Sequence, residues 1–259
     1  MKGSRGTLIG FATVIAAAVL WYLATVVLKL VGPARFPPPA DVWGALKQIS
    51  VQGYADATLW RHIVQSSLLV LMGFVTAVSI GVVLGLAMGW SRRVEALANP
   101  VFLLLRPIPP LAWIPIAIVW FGLGESSKWF VIFLGAFFPV FTNAYRGMTS
   151  IPPVLLRAAR TMDVDGVALL AKVALPAALP DIATGLRVGF GLSFGILVAA
   201  ELIAADRGMG FLVMQSRQIG ELGVAVFGIL LIGIVSLLCD AALAAGLRRV
   251  VGRGMRHQP

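Results

Sequence analysis

The chain contains uncharged, apolar runs too long for any water-soluble core. Thr7 to Leu28 is one, and Ile63 to Trp90 is longer still. A helix of about 20 such residues matches the hydrocarbon thickness of a bilayer. Further segments of this kind cover about 99–123 around Arg106, Trp129 to Tyr145, about 182–205 with Arg187 and Glu201 inside it, and Leu222 to Leu247 with Asp240 near its end. Six spans are therefore predicted, each helical, because lipid offers no partner to an open backbone. Composition agrees: the 259 residues are 59% hydrophobic and only 12% charged, with a mean hydropathy of +0.93. Soluble domains carry about 25% charged residues. A soluble enzyme is excluded, and so is a disordered chain, which would be polar and highly charged.

The formal net charge is +10. Nucleic-acid binding would need that charge clustered on an aqueous face, whereas here Lys and Arg punctuate apolar runs, so no nucleic-acid partner is expected. The single cysteine, Cys239, cannot form an intrachain disulfide, and His62 and His257 have no ligand-spaced neighbours. No metal site, catalytic residue or cofactor is expected in the chain.

Basic residues also set orientation. With the N-terminus inside, the inner set is Lys2, Arg5, Arg92, Arg93, Arg146, Arg157, Arg160, Lys172, Arg248, Arg249, Arg253 and Arg256. The outer set is smaller: Lys29, Arg35, Lys47, Arg61, Lys128, Arg207 and Arg217. Both termini are expected in the cytoplasm. The first span, 7–28, is too long for a signal peptide's apolar region and lacks a clear small-x-small cleavage site, so it is expected to be retained. The whole chain, 1–259, reads as one transmembrane domain with a core bundle at about 60–250. Three connections stand out. An external one from Lys29 to His62 carries Phe36-Pro37-Pro38-Pro39 and an amphipathic stretch over 41–49; a cytoplasmic one covers Gly147 to Asp181; a second external one covers Asp206 to Glu221.

Gly81, Gly85 and Gly89 form one helix face; Gly185 with Gly189, and Gly191 with Gly195, repeat the spacing. Small residues at this interval let helix backbones approach closely. Around Arg106, the prolines at 100, 107, 109, 110 and 115 predict a broken or kinked third span whose freed carbonyls face protein or water. Arg106 and Glu201 are intramembrane ionisable groups and hence functional candidates. Snorkelling of Arg106 to an interface and a structural ion pair at Glu201 are the plainer alternatives.

The cytoplasmic stretch reads Ile151-Pro152-Pro153-Val154-Leu155-Leu156-Arg157-Ala158-Ala159-Arg160-Thr161-Met162-Asp163-Val164-Asp165-Gly166 and continues to Leu175-Pro176. Proline suits a helix's first turn, so a short helix is expected from Pro152. Asp163 or Asp165 can cap a second short helix, which Pro176 then stops. Two such helices would form a compact knob, or simply an amphipathic connector.

This stretch resembles the EAA loop of ABC-transporter permeases, which reads Glu-Ala-Ala, a Gly four residues on, and a terminal Ile-x-Leu-Pro. Arg157-Ala158-Ala159 stands at the first element and Val173-Ala174-Leu175-Pro176 at the last. Arg106-Pro107-Ile108-Pro109-Pro110-Leu111-Ala112-Trp113-Ile114-Pro115, Trp120-Phe121-Gly122-Leu123-Gly124, Leu179-Pro180-Asp181-Ile182-Ala183-Thr184-Gly185-Leu186-Arg187 and the run from Ala200 to Leu212 are similar to the sulfonate, taurine and nitrate subgroup. The similarity extends from about Phe36 to the C-terminus. Two departures are plain: the family's Glu is Arg157, and its Gly is Asp163, with Gly166 three residues later as another place for the turn.

The resemblance implies an all-α membrane protein of the type I ABC importer (MetI-like) architecture, in a bacterial-type inner membrane and paired with a second copy of itself. The loop at 150–176, with Arg157, Ala158, Ala159, Asp163, Gly166, Leu175 and Pro176, would seat on a cytoplasmic ATPase dimer that binds ATP and Mg²⁺. This chain has no G-x-x-x-x-G-K-[ST] phosphate loop of its own. An external binding protein would deliver a small solute, preferably an aliphatic sulfonate, taurine or a nitrate-like anion, to a pathway for which Arg106, Pro109, Trp113 and Glu201 are candidates. The competing class is an ATP-independent secondary transporter or channel. The broken third span supports that class, while the lack of inverted repeats and of coupling carboxylates opposes it.

Overall fold

The structure, a computed structural model, describes residues 2–33 and 35–255. Arg256 and His257 lie outside the described residues, as do the side chains of Lys2, Arg5 and Arg253. Helices α1 (Lys2–Tyr22), α2 (Pro39–Gln52), α3 (Leu59–Trp90), α4 (Arg92–Leu105), α5 (Ile114–Phe121), α6 (Glu125–Thr149), α7 (Pro153–Thr161), α8 (Gly166–Leu169), α9 (Leu175–Ala204), α10 (Met209–Ile219) and α11 (Leu222–Met255) make up the chain. No strand forms among the described residues. Five helices or helix runs are long and apolar enough to cross a membrane; α4 with the segment Pro110–Phe121 makes a sixth, bent by 84°. The expected proline break is thus real. Pro109 and Pro110 supply no N–H to carry a helix past Leu105, and the chain restarts through a 3₁₀ turn at Pro110–Trp113.

Contacts divide the chain into two compact units. One gathers the chain up to Ile63 with Arg207–Gly233. Its core joins Val42, Ala45 and Ile49 of α2 to Leu212 of α10 and to Val224 and Phe227 of α11. The amphipathic stretch predicted over 41–49 is α2, begun by Pro39 in the first turn and ended by Gly53 at φ +76°. The connection 206–221 contains α10. His62, fully buried, ties this unit together: Nε2 donates to the Tyr54 carbonyl (3.0 Å) and Nδ1 accepts the Gly208 N–H (3.1 Å). Burial, and the Glu221 carboxylate close by, push the Tyr54 hydroxyl up to about 12. By contrast α1 shows Leu8, Phe11, Val14 and Leu20 on its surface, and only 6% of its apolar window is buried, as suits a helix solvated by lipid.

The second unit, Val64–Asp206 with the chain from Ile234, is built around α6, whose apolar window is 56% buried. Glycines let α3 lie on it. A Cβ at Gly85 would meet the Phe141 carbonyl oxygen at 2.6 Å, and one at Gly89 would meet Met148 Cβ at 2.6 Å. From α9, Gly185 rests on Asn143 and Pro139, and Gly189 on Ala136 and Val140. The expected Gly191–Gly195 face is different: among the described residues nothing lies within 4 Å of either position, so it packs against none of their helices. Phe102 of α4 stacks on Phe141 at 3.7 Å, and the Tyr145 hydroxyl donates to Glu95.

Two expectations about spans need correction. The fourth starts at Glu125, not Trp129, so Lys128 is not an outer loop charge but a buried residue of α6. The fifth does not start near residue 182, because Pro176 does not end a helix. α8, a wider π-helical turn at Leu170–Ala174 and α9 follow one another without a break, and Pro176 occupies the tolerant first turn of α9.

Gly85→Ala should lower the melting temperature of the purified protein, since overpacking costs about 1–3 kcal/mol. Gly44→Ala, where nothing lies within 4 Å, should raise it through helix propensity. Equal effects would contradict the close-packing account. His62→Leu should destabilise by about 1–3 kcal/mol for each polar group left unpaired, a loss visible in the same melting assay.

Candidate functional site: a short loop helix and a proline-bent span

α7 forms where expected, with Pro153 in its first turn. It is seated by Leu156 against a cluster of Met148, Ile151 and Ala174, and Ala159 is buried while Arg157, Ala158 and Arg160 are exposed. The helix ends as the Met162 and Val164 N–H groups both donate to the Ala159 carbonyl at 3.1 Å. Asp163 then takes φ +57°, in the left-handed region where a helix commonly places glycine just past its end. Aspartate is among the few side chains that tolerate this conformation. Both proposed places for the turn are therefore used, since Gly166 also has φ +57°.

The capping expectation is only half met. Asp165 occupies the N-cap of α8, but its carboxylate caps nothing and lies 3.6 Å from Arg160 in an exposed pair that contributes little. The expected knob of two short helices is replaced by one short helix, α7, and a second segment continuous with α9. Leu175 and Pro176 belong to that continuous segment. Around the loop, Val154, Leu155, Met162 (77% exposed) and Val167 (80% exposed) present apolar surface beside Arg157 and Arg160. No sequence motif marked these four residues. They became visible only once the turn at Asp163 was in place.

The four pathway candidates are not gathered into one cluster. Arg106 caps the end of α4 and is exposed; Pro109 starts the bend; Trp113 packs with Trp120 and Phe130 at ring distances of 6.4 and 6.5 Å. Glu201, 1% exposed, sits near the far end of α9 and accepts a 2.7 Å hydrogen bond from Ser66 of α3. This contact is with a hydroxyl, whereas the plainer alternative for Glu201 was a structural ion pair. Between α9 and α11 opens a cavity of about 450 Å³ lined by Thr184, Arg187, Asp240 and Arg248, with Arg187 and Asp240 paired at 3.4 Å. Among the described residues, no group of three or more His, Cys, Asp or Glu is placed to hold a metal ion.

Lys128 was missed because it sits at the edge of an apolar run. Its spacing was the available signal: Ile132 and Gly135, four and seven residues on, share its helix face, and all three are buried.

Long apolar helices clamped by glycines, with a bent span and a short loop helix, define a multi-pass membrane protein. The family described as binding-protein-dependent transport system inner membrane component matches residues 77–257, and the chain belongs to it. Over 95% of its length it is 39% identical to the taurine transport system permease protein TauC of Escherichia coli, covering 90% of that protein. It is 33% identical to the putative aliphatic sulfonates transport permease protein SsuC of Bacillus subtilis, over 83% of this chain and 76% of that one. It is 32% identical to the bicarbonate transport system permease protein CmpB of Synechococcus elongatus, over 96% and 91%. The fold is also similar to a solved inward-facing structure of the MetNI methionine ABC transporter, with a TM-score of 0.55 at 22% identity, over 83% of this chain and 98% of that one. The chain is an ABC importer permease, and the secondary-transporter alternative falls away.

Asp163→Val should raise the rate at which trypsin cleaves after the exposed Arg160, because a β-branched residue at positive φ costs about 1–2 kcal/mol. Asp163→Gly and Asp163→Asn should leave that rate near wild type. Identical rates for all variants would remove the left-handed turn from the account.

Proposed function

We propose that the chain carries a small anionic solute across a bacterial-type inner membrane, with an aliphatic sulfonate such as taurine as the preferred cargo. The observation that carries this reading is the 39% identity to a taurine permease over 95% of the chain. The sulfonate and bicarbonate relatives support the wider class of small anions. The chain itself is not an enzyme in this reading. It works as a homodimer with both termini in the cytoplasm, and 1–259 acts as one permease domain that comprises the N-terminal span 7–28 and a core bundle at about 60–250.

Energy comes from a separate cytoplasmic ATPase dimer that binds ATP and Mg²⁺, and an external binding protein supplies the solute. The loop at 150–176 is the coupling element. Leu156 and Ala159 hold α7 to the permease, while Arg157, Ala158 and the apolar side chains of Val154, Met162 and Val167 face the ATPase groove. Asp163 and Gly166 set the angle between α7 and the segment that continues through Leu175 and Pro176 into α9. When nucleotide draws two such loops together, the helices rock between inward-open and outward-open states, a rigid-body change. Arg106, Pro109, Trp113 and Glu201 border the path, with Arg106 positioned to meet an anion at the bend.

Purification from native membranes in mild detergent should bring down an ATPase in equal amount. Ala158→Glu places a charge on the exposed face of α7 without touching its buried side. It should lower ATPase recovery and taurine uptake by at least about tenfold, in line with the loss of an interface hot spot, at unchanged permease abundance. Full recovery and uptake in that variant would remove the loop from the interface.

A further inference from the structure

The cavity of about 450 Å³ between α9 and α11 has no part in the loop helix or in the bent span. Ala183 of α9 and Ala241 and Ala244 of α11 line it, so short side chains leave the space open. Three charged residues line it too: Arg187, Asp240 and Arg248. Ionisable groups on membrane-spanning helices are functional candidates by default.

The donors are held in place. Arg187 reaches Asp240 through one terminal nitrogen at 3.4 Å, and its side chain stays 55% exposed. Arg248 Nε donates to the Ala244 carbonyl at 3.3 Å, one turn back on its own helix. A guanidinium carries five N–H donors in a fixed fork, so each arginine has donors beyond these bonds. Asp240 offsets one of the two positive charges, and the cavity keeps the other. It therefore suits a singly charged anion.

Depth in the bilayer narrows the choice. Arg187 lies sixteen residues before Ile203, the end of its span, and Asp240 lies eighteen residues after Leu222, the start of its own. At a rise of 1.5 Å per residue, these positions are about 24 and 27 Å from those ends. Hydrocarbon about 30 Å thick stops just beyond them. Arg248, eight residues past Asp240, stands about 12 Å further along, at headgroup level. The cavity thus straddles the level where acyl chains give way to phosphate. Basic pockets between transmembrane helices take anionic headgroups at this level.

We propose that the cavity binds the phosphate of an anionic phospholipid, such as phosphatidylglycerol. The phosphodiester oxygens accept from Arg248 and Arg187, and the lipid's apolar part lies along the alanines. Bound there, the lipid braces α9 against α11. No cargo is involved, so the site stands apart from the solute the chain carries.

The test is thermal melting of the full complex, purified in mild detergent and washed free of lipid, with added dioleoylphosphatidylglycerol. Wild type should gain about 5 °C or more, saturably, at about 100-fold the dissociation constant. Dioleoylphosphatidylcholine, which carries no net charge, should give a smaller gain. Arg248→Gln should need about tenfold more phosphatidylglycerol for the same gain, the cost of one charged hydrogen bond. Ala244→Trp fills the cavity and leaves all three charges, so it should lose the gain while melting no lower than wild type without lipid. Equal gains from the two lipids, an unshifted titration in Arg248→Gln, or no gain in any form would overturn the anion site. A full gain in Ala244→Trp would leave only attraction between surface charges and overturn the cavity. An equal gain from glycerol 3-phosphate would make the ligand a soluble phosphate and overturn the lipid. If Ala244→Trp melts lower without lipid, Arg248→Gln decides alone.

Discussion

The approach of two helix backbones to α6 is the constraint on which the second unit depends. In lipid, apolar side chains gain little by leaving one hydrocarbon for another, so association rests on close packing. Gly85 and Gly89 of α3 meet α6 on one side, and Gly185 and Gly189 of α9 meet it on another. α6 answers in kind with its own Gly135 and Gly147, which face Ile196 and Asp181 of α9. Everything placed on these three helices inherits its position from this contact, including Lys128 on α6, Glu201 on α9 and Ser66 on α3.

Much of this was legible in the sequence because it follows from one-dimensional rules. Long uncharged runs give spans, and a cluster of prolines must break one; the 84° bend at α4 is the consequence. A short helix is expected from Pro152, and α7 begins one residue on, at Pro153, with Pro152 as its N-cap. The misreadings share a different cause, which is that local signals yield to tertiary context. Pro176 reads as a stop, but a π-helical turn ahead of it restores a helical start where proline is welcome. Lys128 reads as a loop charge because charge at the margin of an apolar run normally is one. Gly191 and Gly195 have the spacing of a packing face, yet spacing alone does not say which helix, if any, lies opposite.

The loop shows how a family motif survives a change of residue. Asp163 stands where the EAA-loop resemblance calls for glycine, and the backbone still turns left-handed there. The conformation is therefore imposed by how α7 ends and how α8 must begin, with Asp163 among the few residues able to accept it. The side chains that such a turn leaves outward are apolar, Met162 and Val167 among them, which suits a surface that another protein covers.

The unbroken run from Gly166 through the π-helical turn into α9 has a mechanical consequence. A helix of 30 residues is about 45 Å long. α9 is preceded by a π-helical turn at Leu170–Ala174, where each turn takes in more residues, and carries Pro180 in its interior. Helices bend at π-bulges and at prolines, so a push delivered at the loop end meets that turn first and then Pro180. Stiffening or loosening those five residues would set how much of a push delivered at the loop arrives as rotation at the Glu201 end, so the gearing of the molecule resides in the short turn that joins the loop to α9.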